Sequence, residues 1–216
     1  MKLYLSSYRI PDISALAELL GKSVHGAKLA LIPNAKDYYA PRAKAVKTRH
    51  MADYLTETGF TVGIVDLLDY ADDPDSLREV LRDYDIIWAR GGNTFCLREA
   101  MRLSKFDEII GDVLQAGVVY AGDSAGACVA GTDLHGVELA DDPEFAETVM
   151  WEGLSLTPHY FMPHADNAEL ADFTQQMTED RGSDPATVIM NDNQAWVEHN
   201  GQGCLVTGEK PGILED

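Results

Sequence analysis

The sequence is poor in cysteine, in histidine and, past its midpoint, in positive charge. Its three cysteines, Cys96, Cys128 and Cys204, are odd in number and widely spaced, which excludes a disulfide framework or a zinc site and leaves them as reduced thiols. Only Arg181 and Lys210 among the 17 lysines and arginines follow Lys105, whereas 22 acidic residues do, and the formal net charge is -19. Such a surface repels phosphate backbones, so nucleic acid is not an expected partner, and it suits a highly soluble or salt-adapted protein. Apolar runs of membrane-spanning length are missing, as is a basic segment followed by a long apolar stretch near Met1, so no membrane partner and a cytoplasmic location are expected.

What is present is an ordinary globular composition, 45% hydrophobic and 25% charged, in 216 residues. That length suits one domain spanning residues 1–216 with a sizeable buried core. Short apolar runs alternate with amphipathic segments: KLYLSS, AKLALIPNA, FTVGIVDL, DIIWARGG and VVYAG read as strands. PDISALAELLG, PRAKAVKTRHMADYLTETG, PDSLREVLRDY, NTFCLREAMRL and KFDEIIGDVLQAG read as the helices between them. The alternation predicts a three-layer α/β sandwich, a mostly parallel sheet with helices on both faces. After Pro185, TVIMNDN, QAWVEHN and QGCLVTG read as short strands of an antiparallel C-terminal extension, with a hairpin at Asn200-Gly201.

Within YAGDSAGACVAG, Gly122-Asp123-Ser124-Ala125-Gly126 fits Gly-x-Ser-x-Gly, between an apolar strand and a helix rich in small residues. A nucleophilic serine in a strained strand-to-helix turn needs small neighbours, whereas a serine that merely capped the helix would not explain them. Ser124 is therefore the candidate nucleophile, and serine chemistry demands a base and an orienting acid. His25, His50, His135 and His199 fall in loops, a charged helix or an exposed hairpin, which leaves the two Pro-His pairs of TPHYFMPHADN. His164 ends an apolar run, as a residue at the carboxyl edge of a sheet should, and is preferred to His159. Asp133, Glu138, Asp141 and Asp142 lie between nucleophile and base. Asp142 precedes Pro143 and a helical EFAETVM, the pattern of a helix cap, so Asp141 ranks first and Glu138 second as the acid.

Upstream, DIIWARGGNTFCL is a strand ending in Gly91-Gly92, with Asn93 and Thr94 opening a helix. Paired glycines let backbone N–H groups approach a ligand, so Gly92 and Ala125 are the candidate oxyanion donors. The spacing matches neither a dinucleotide fingerprint nor a P-loop.

GGNTF at a strand end, SAGA in the turn and a downstream Pro-His pair together resemble the peptidase E family of serine peptidases, which includes aspartyl dipeptidases and, more distantly, cyanophycinases. The likeness runs in order across roughly residues 80–170. It implies a class I glutamine amidotransferase-like, flavodoxin-like fold, Ser124 as nucleophile, His164 as base, an acid near ADDP at Asp141, with Asp142 and Glu138 as neighbouring registers, and Asn93 in the substrate pocket. The expected activity is hydrolysis of short peptides through an acyl-enzyme, with no cofactor or metal, and the protein is a possible homodimer. The family's specificity arginine is not matched, since NAELADFTQQMTED carries no basic residue before Arg181; Arg90, beside the glycine pair, is the alternative source of charge. A non-catalytic binding module on the same scaffold is the competing expectation. Glutamine amidotransferase chemistry is disfavoured because it uses cysteine in the turn, and Cys128 lies a helical turn beyond it.

Overall fold

The computed structural model describes residues 1–209. Five strands, β1 (Lys2–Ser6), β2 (Lys28–Ile32), β3 (Thr61–Ile64), β4 (Ile86–Ala89) and β5 (Val119–Asp123), run parallel to one another. The strands β8 (Gln194–His199) and β9 (Gln202–Thr207) extend this sheet antiparallel from β1, in the order β3-β2-β4-β5-β1-β8-β9. Helices α1 (Ile13–Leu20), α2 (Pro41–Thr58), α3 (Pro74–Arg82), α4 (Thr94–Leu103), α5 (Phe106–Gln115) and α6 (Ala125–Cys128) fill the crossovers.

Successive side chains of a strand point to opposite faces, and the apolar strands divide accordingly. Leu3, Leu5, Ala30, Ile32 and Ile87 pack with α3 to α6, whereas Tyr4, Leu29, Leu31, Ile86 and Trp88 pack with α1 and α2. Two cores therefore sandwich one sheet, the three-layer α/β arrangement that the alternating pattern predicts.

The C-terminal region departs from the expected meander. Asn200 and Gly201 both take positive φ and close the β8–β9 hairpin. TVI, however, forms β7 (Thr187–Ile189), which pairs in parallel with β6 (Tyr160–Met162) as a separate two-stranded sheet. Val188 and Met190 bury in the same core as Phe161, and the Met190 N–H bonds the Met162 carbonyl at 2.9 Å. This apolar attachment holds the segment away from β8. Helix α7 (Ala171–Arg181) links the pair, packing Phe173 and Met177 against Tyr160 and Met162.

The carboxyl ends of β1, β4, β5 and β6 meet at one edge, the position where open α/β sheets place their ligands.

Candidate active site

Ser124 stands between β5 and α6 with φ 51° and ψ −113°, a backbone conformation that costs a non-glycine residue energy and persists only where packing enforces it. The enforcement is visible on both sides. The Ser124 N–H bonds the Ser6 carbonyl on β1 at 3.1 Å. A Cβ on Gly126 would lie 1.9 Å from the Ala89 carbonyl oxygen, and one on Gly122 would lie 2.7 Å from the Gly126 carbonyl group. Glycines at both positions let the turn close against β4 with the Ser124 side chain in the cavity.

His164 follows β6, also at positive φ (64°). Its Nε2 lies 2.9 Å from Ser124 Oγ, and its Nδ1 lies 2.6 Å from Asp192 Oδ1. An ionised carboxylate only accepts, so Nδ1 carries a proton, and in the neutral imidazole Nε2 presents a lone pair to the Ser124 hydroxyl. Asp192 and His164 are largely buried. Burial pushes the Asp192 carboxyl up, but the hydrogen bond and charge of His164, together with the Ser7 hydroxyl at 3.2 Å, outweigh it and hold the group below the usual carboxylate range.

The structure thus brings Ser124 and His164 together and puts a different carboxylate beside the histidine from the one expected. The Asp141 carboxylate accepts from Thr94 at the start of α4, from its N–H at 2.9 Å and its hydroxyl at 2.6 Å. It shares the cavity with Ser124 and His164 but does not hold Nδ1, which Asp192 occupies. Burial raises the Asp141 carboxyl, with the Thr94 bonds and the charge of His164 opposing. Asp142 caps a 3-10 turn over Pro143–Phe145, donated to by the Glu144 N–H at 2.9 Å, where a helix over EFAETVM was expected. Glu138 turns back to the Gly136 N–H. His159 bonds the Ala186 carbonyl through Nδ1 and packs edge-on to Trp196, away from the serine.

Asp192 follows β7 in the segment Asn191-Asp192-Asn193. It lies beyond His164 in the chain, outside the Ser124-to-His164 stretch that holds Asp133, Glu138, Asp141 and Asp142. The usable signal is local: a carboxylate just beyond the apolar run TVIM satisfies the same carboxyl-edge rule that selects His164.

The serine opens onto a cavity of about 420 Å³, walled by the Gly91-Gly92-Asn93 segment, Asp141, Lys36, Arg90 and the aromatic rings of Tyr8, Tyr38 and Phe145. Gly92 has φ 152°, and a Cβ there would lie 2.3 Å from the Ala35 carbonyl oxygen. Asn93 caps α4 by accepting from the Cys96 N–H, and its amide donates to the Asp142 carbonyl at 2.8 Å, tying the 141–142 loop to the glycine pair. Ala125 is buried at the first position of α6. Asp123, also in the wall, is pushed up by burial against the opposing Arg90 charge and hydrogen bonds from Trp88 Nε1 and the Gly91 N–H. Arg90 does reach the cavity, with one guanidinium nitrogen donating to the Lys47 carbonyl. Arg181 does not: it pairs with Asp133 at 2.5 Å and covers the Tyr160 ring. Cys128 is buried in α6, its thiol directed at the Phe161 carbonyl.

The model of peptidase family S51 matches residues 7–206. The chain belongs to peptidase family S51. An uncharacterized peptidase of Listeria innocua is 31% identical over 107 residues, 49% of this chain and 51% of that protein. The Peptidase E of Pasteurella multocida is 32% identical over 103 residues, 48% of this chain and 43% of that protein. These matches span about half the length of the curated relatives. In structure, the S51 chain is similar to a peptidase E candidate from Listeria monocytogenes EGD-e, with TM-score 0.78 at 20% identity over 95% of this chain and 98% of that one. A peptidase from an acI-B1 Actinobacterium gives TM-score 0.65 at 21% identity, over 95% and 87%. Both likenesses establish the fold.

Proposed function

We propose that this S51 protein is a serine peptidase that hydrolyses short peptides through a triad of Ser124, His164 and Asp192. The observation that carries the reading is the continuous chain of hydrogen bonds from Ser124 Oγ to His164 Nε2 and from His164 Nδ1 to Asp192 Oδ1. Ser124 Oγ attacks the scissile carbonyl as His164 Nε2 takes its proton. Asp192 holds the ring in the required tautomer and stabilises the imidazolium that forms. The negative oxygen of the tetrahedral intermediate faces the N–H groups of Gly92 and Ala125, whose segments border the serine. Collapse passes the proton from His164 to the leaving amine and leaves an ester on Ser124, which water, activated by the same histidine, then hydrolyses.

A cavity of about 420 Å³ suits a dipeptide-sized segment. Asn93 spends its side chain on Cys96 and Asp142, so its part in the pocket is to shape the wall.

A fluorophosphonate probe with mass-spectrometric mapping tests the reading. Labelling at Ser124, lost in Ser124→Ala together with hydrolysis of dipeptides and activated esters, is expected. An unlabelled wild type at high probe concentration would instead indicate a binding module on the peptidase scaffold.

A further inference from the structure

Two serines at the carboxyl end of β1 touch all three members of this triad. The Ser6 carbonyl accepts the Ser124 N–H at 3.1 Å. The Ser7 hydroxyl accepts the His164 N–H at 2.7 Å and donates to Asp192 Oδ1 at 3.2 Å. Ser7 is fully buried, and its own N–H is fixed to the Gln194 carbonyl at 3.0 Å. It is not among the residues that line the cavity.

A hydroxyl has one proton to give and lone pairs to receive with, and Ser7 uses both roles on the catalytic pair. Its acceptor restrains the His164 backbone in a conformation unfavourable to a residue with a Cβ. Its donor meets the same Asp192 oxygen that accepts the hydrogen bond from Nδ1. We infer that Ser7 is a positioning residue of the hydrolytic site, setting both the seat of His164 and the strength with which Asp192 holds it. The inference rests on the peptidase reading of that site.

Charged groups face the pair from more than one element. Asp192 faces His164 and Asp166, whose carboxylate accepts the Asp192 N–H at 2.8 Å, and the negative charge of Asp141 also reaches His164. Without the Ser7 donor, Asp192 binds a proton more readily and pulls harder on the Nδ1–H, so on acidification activity is lost starting from a higher pH.

Ser7→Ala is the test, read through turnover of a p-nitrophenyl ester and the rate of fluorophosphonate labelling across pH. A roughly ten- to hundredfold fall in kcat is expected from the lost charged hydrogen bond. KM should hold, the acid limb of the labelling profile should move to higher pH, and Ser7→Thr should restore most of the rate and the original limb. Should Ser7→Ala fail to fold by circular dichroism, Ser7→Cys, similar in volume but weak as donor and acceptor, should show the same fall. A folded Ser7→Ala or Ser7→Cys with wild-type kcat and pH profile overturns the inference, as does a folded Ser7→Thr no better than Ser7→Ala. Absence of labelling in the wild type would instead sink the peptidase reading beneath it.

Discussion

At the scale of single residues, the site is a set of charges kept in chosen states by what touches them. Asp192 is held below the usual carboxylate range despite burial, whereas burial keeps Asp123 and Asp141 above it. These shifts have opposite consequences for stability. A carboxylate depressed by folding contributes stability above its unfolded value, near about pH 4, and loses it as pH falls through the folded value. A raised one contributes below about pH 4 and loses that contribution as pH rises through its folded value. Thermal melts of wild type and Asp192→Asn should therefore differ most at neutral pH and converge on acidification. An Asp192→Asn variant as stable as wild type at neutral pH would contradict this. The sequence makes Ser124 and His164 legible because each sits at an apolar strand's end with a mechanistic reason for its neighbours. The acid was legible only as a demand. Asp141 and Asp192 are both loop carboxylates beside asparagine or aspartate, and which of them meets Nδ1 is decided by pairing across the chain.

At the scale of elements, that pairing is the β6–β7 ladder. His164 follows β6 and Asp192 follows β7, so the parallel register of Met162 opposite Ile189 brings the two side chains to the same edge. An antiparallel meander, the arrangement that three short strands in succession suggest, would have left Asp192 in an outer turn. Local patterning identified TVIM as a strand but held no information on its partner, because Val188 and Met190 would bury equally well on several sheets. By contrast, the five parallel strands and their crossover helices were legible. The inner strands β1, β2, β4 and β5 are apolar enough to be covered on both faces, and α1 and α2 stop at Gly21 and Gly59, both left-handed caps. The glycine pair was legible for the same reason: Gly92 fits where a Cβ would strike the Ala35 carbonyl.

For the whole molecule, charge is the dominant asymmetry. The net charge of -19 arises almost wholly after Lys105, where 22 acidic residues face two basic ones. Such self-repulsion weakens the folded state, and salt screens it, the Debye length falling from about 30 Å at 0.01 M to about 3 Å at 1 M. The melting temperature should therefore climb as sodium chloride is raised over that range, most steeply at the dilute end; a flat response would show that the acidic residues are too dispersed to matter. The described chain has no helix long and apolar enough to cross a membrane. The family S51 match runs over residues 7–206, nearly the whole chain, and so spans both the serine turn and the histidine loop.

The assignment of Asp192 as the acid is tested most directly by measuring fluorophosphonate labelling of Ser124 in Asp192→Asn and Asp141→Asn side by side. An asparagine at the acid position favours the wrong imidazole tautomer, so Asp192→Asn should label roughly a thousand- to ten-thousandfold more slowly than wild type. Asp141→Asn, which leaves Nδ1 with Asp192 and changes the start of α4, the cavity wall and a more distant charge on His164, should stay within about an order of magnitude. A collapse in Asp141→Asn with Asp192→Asn near wild type would contradict the account.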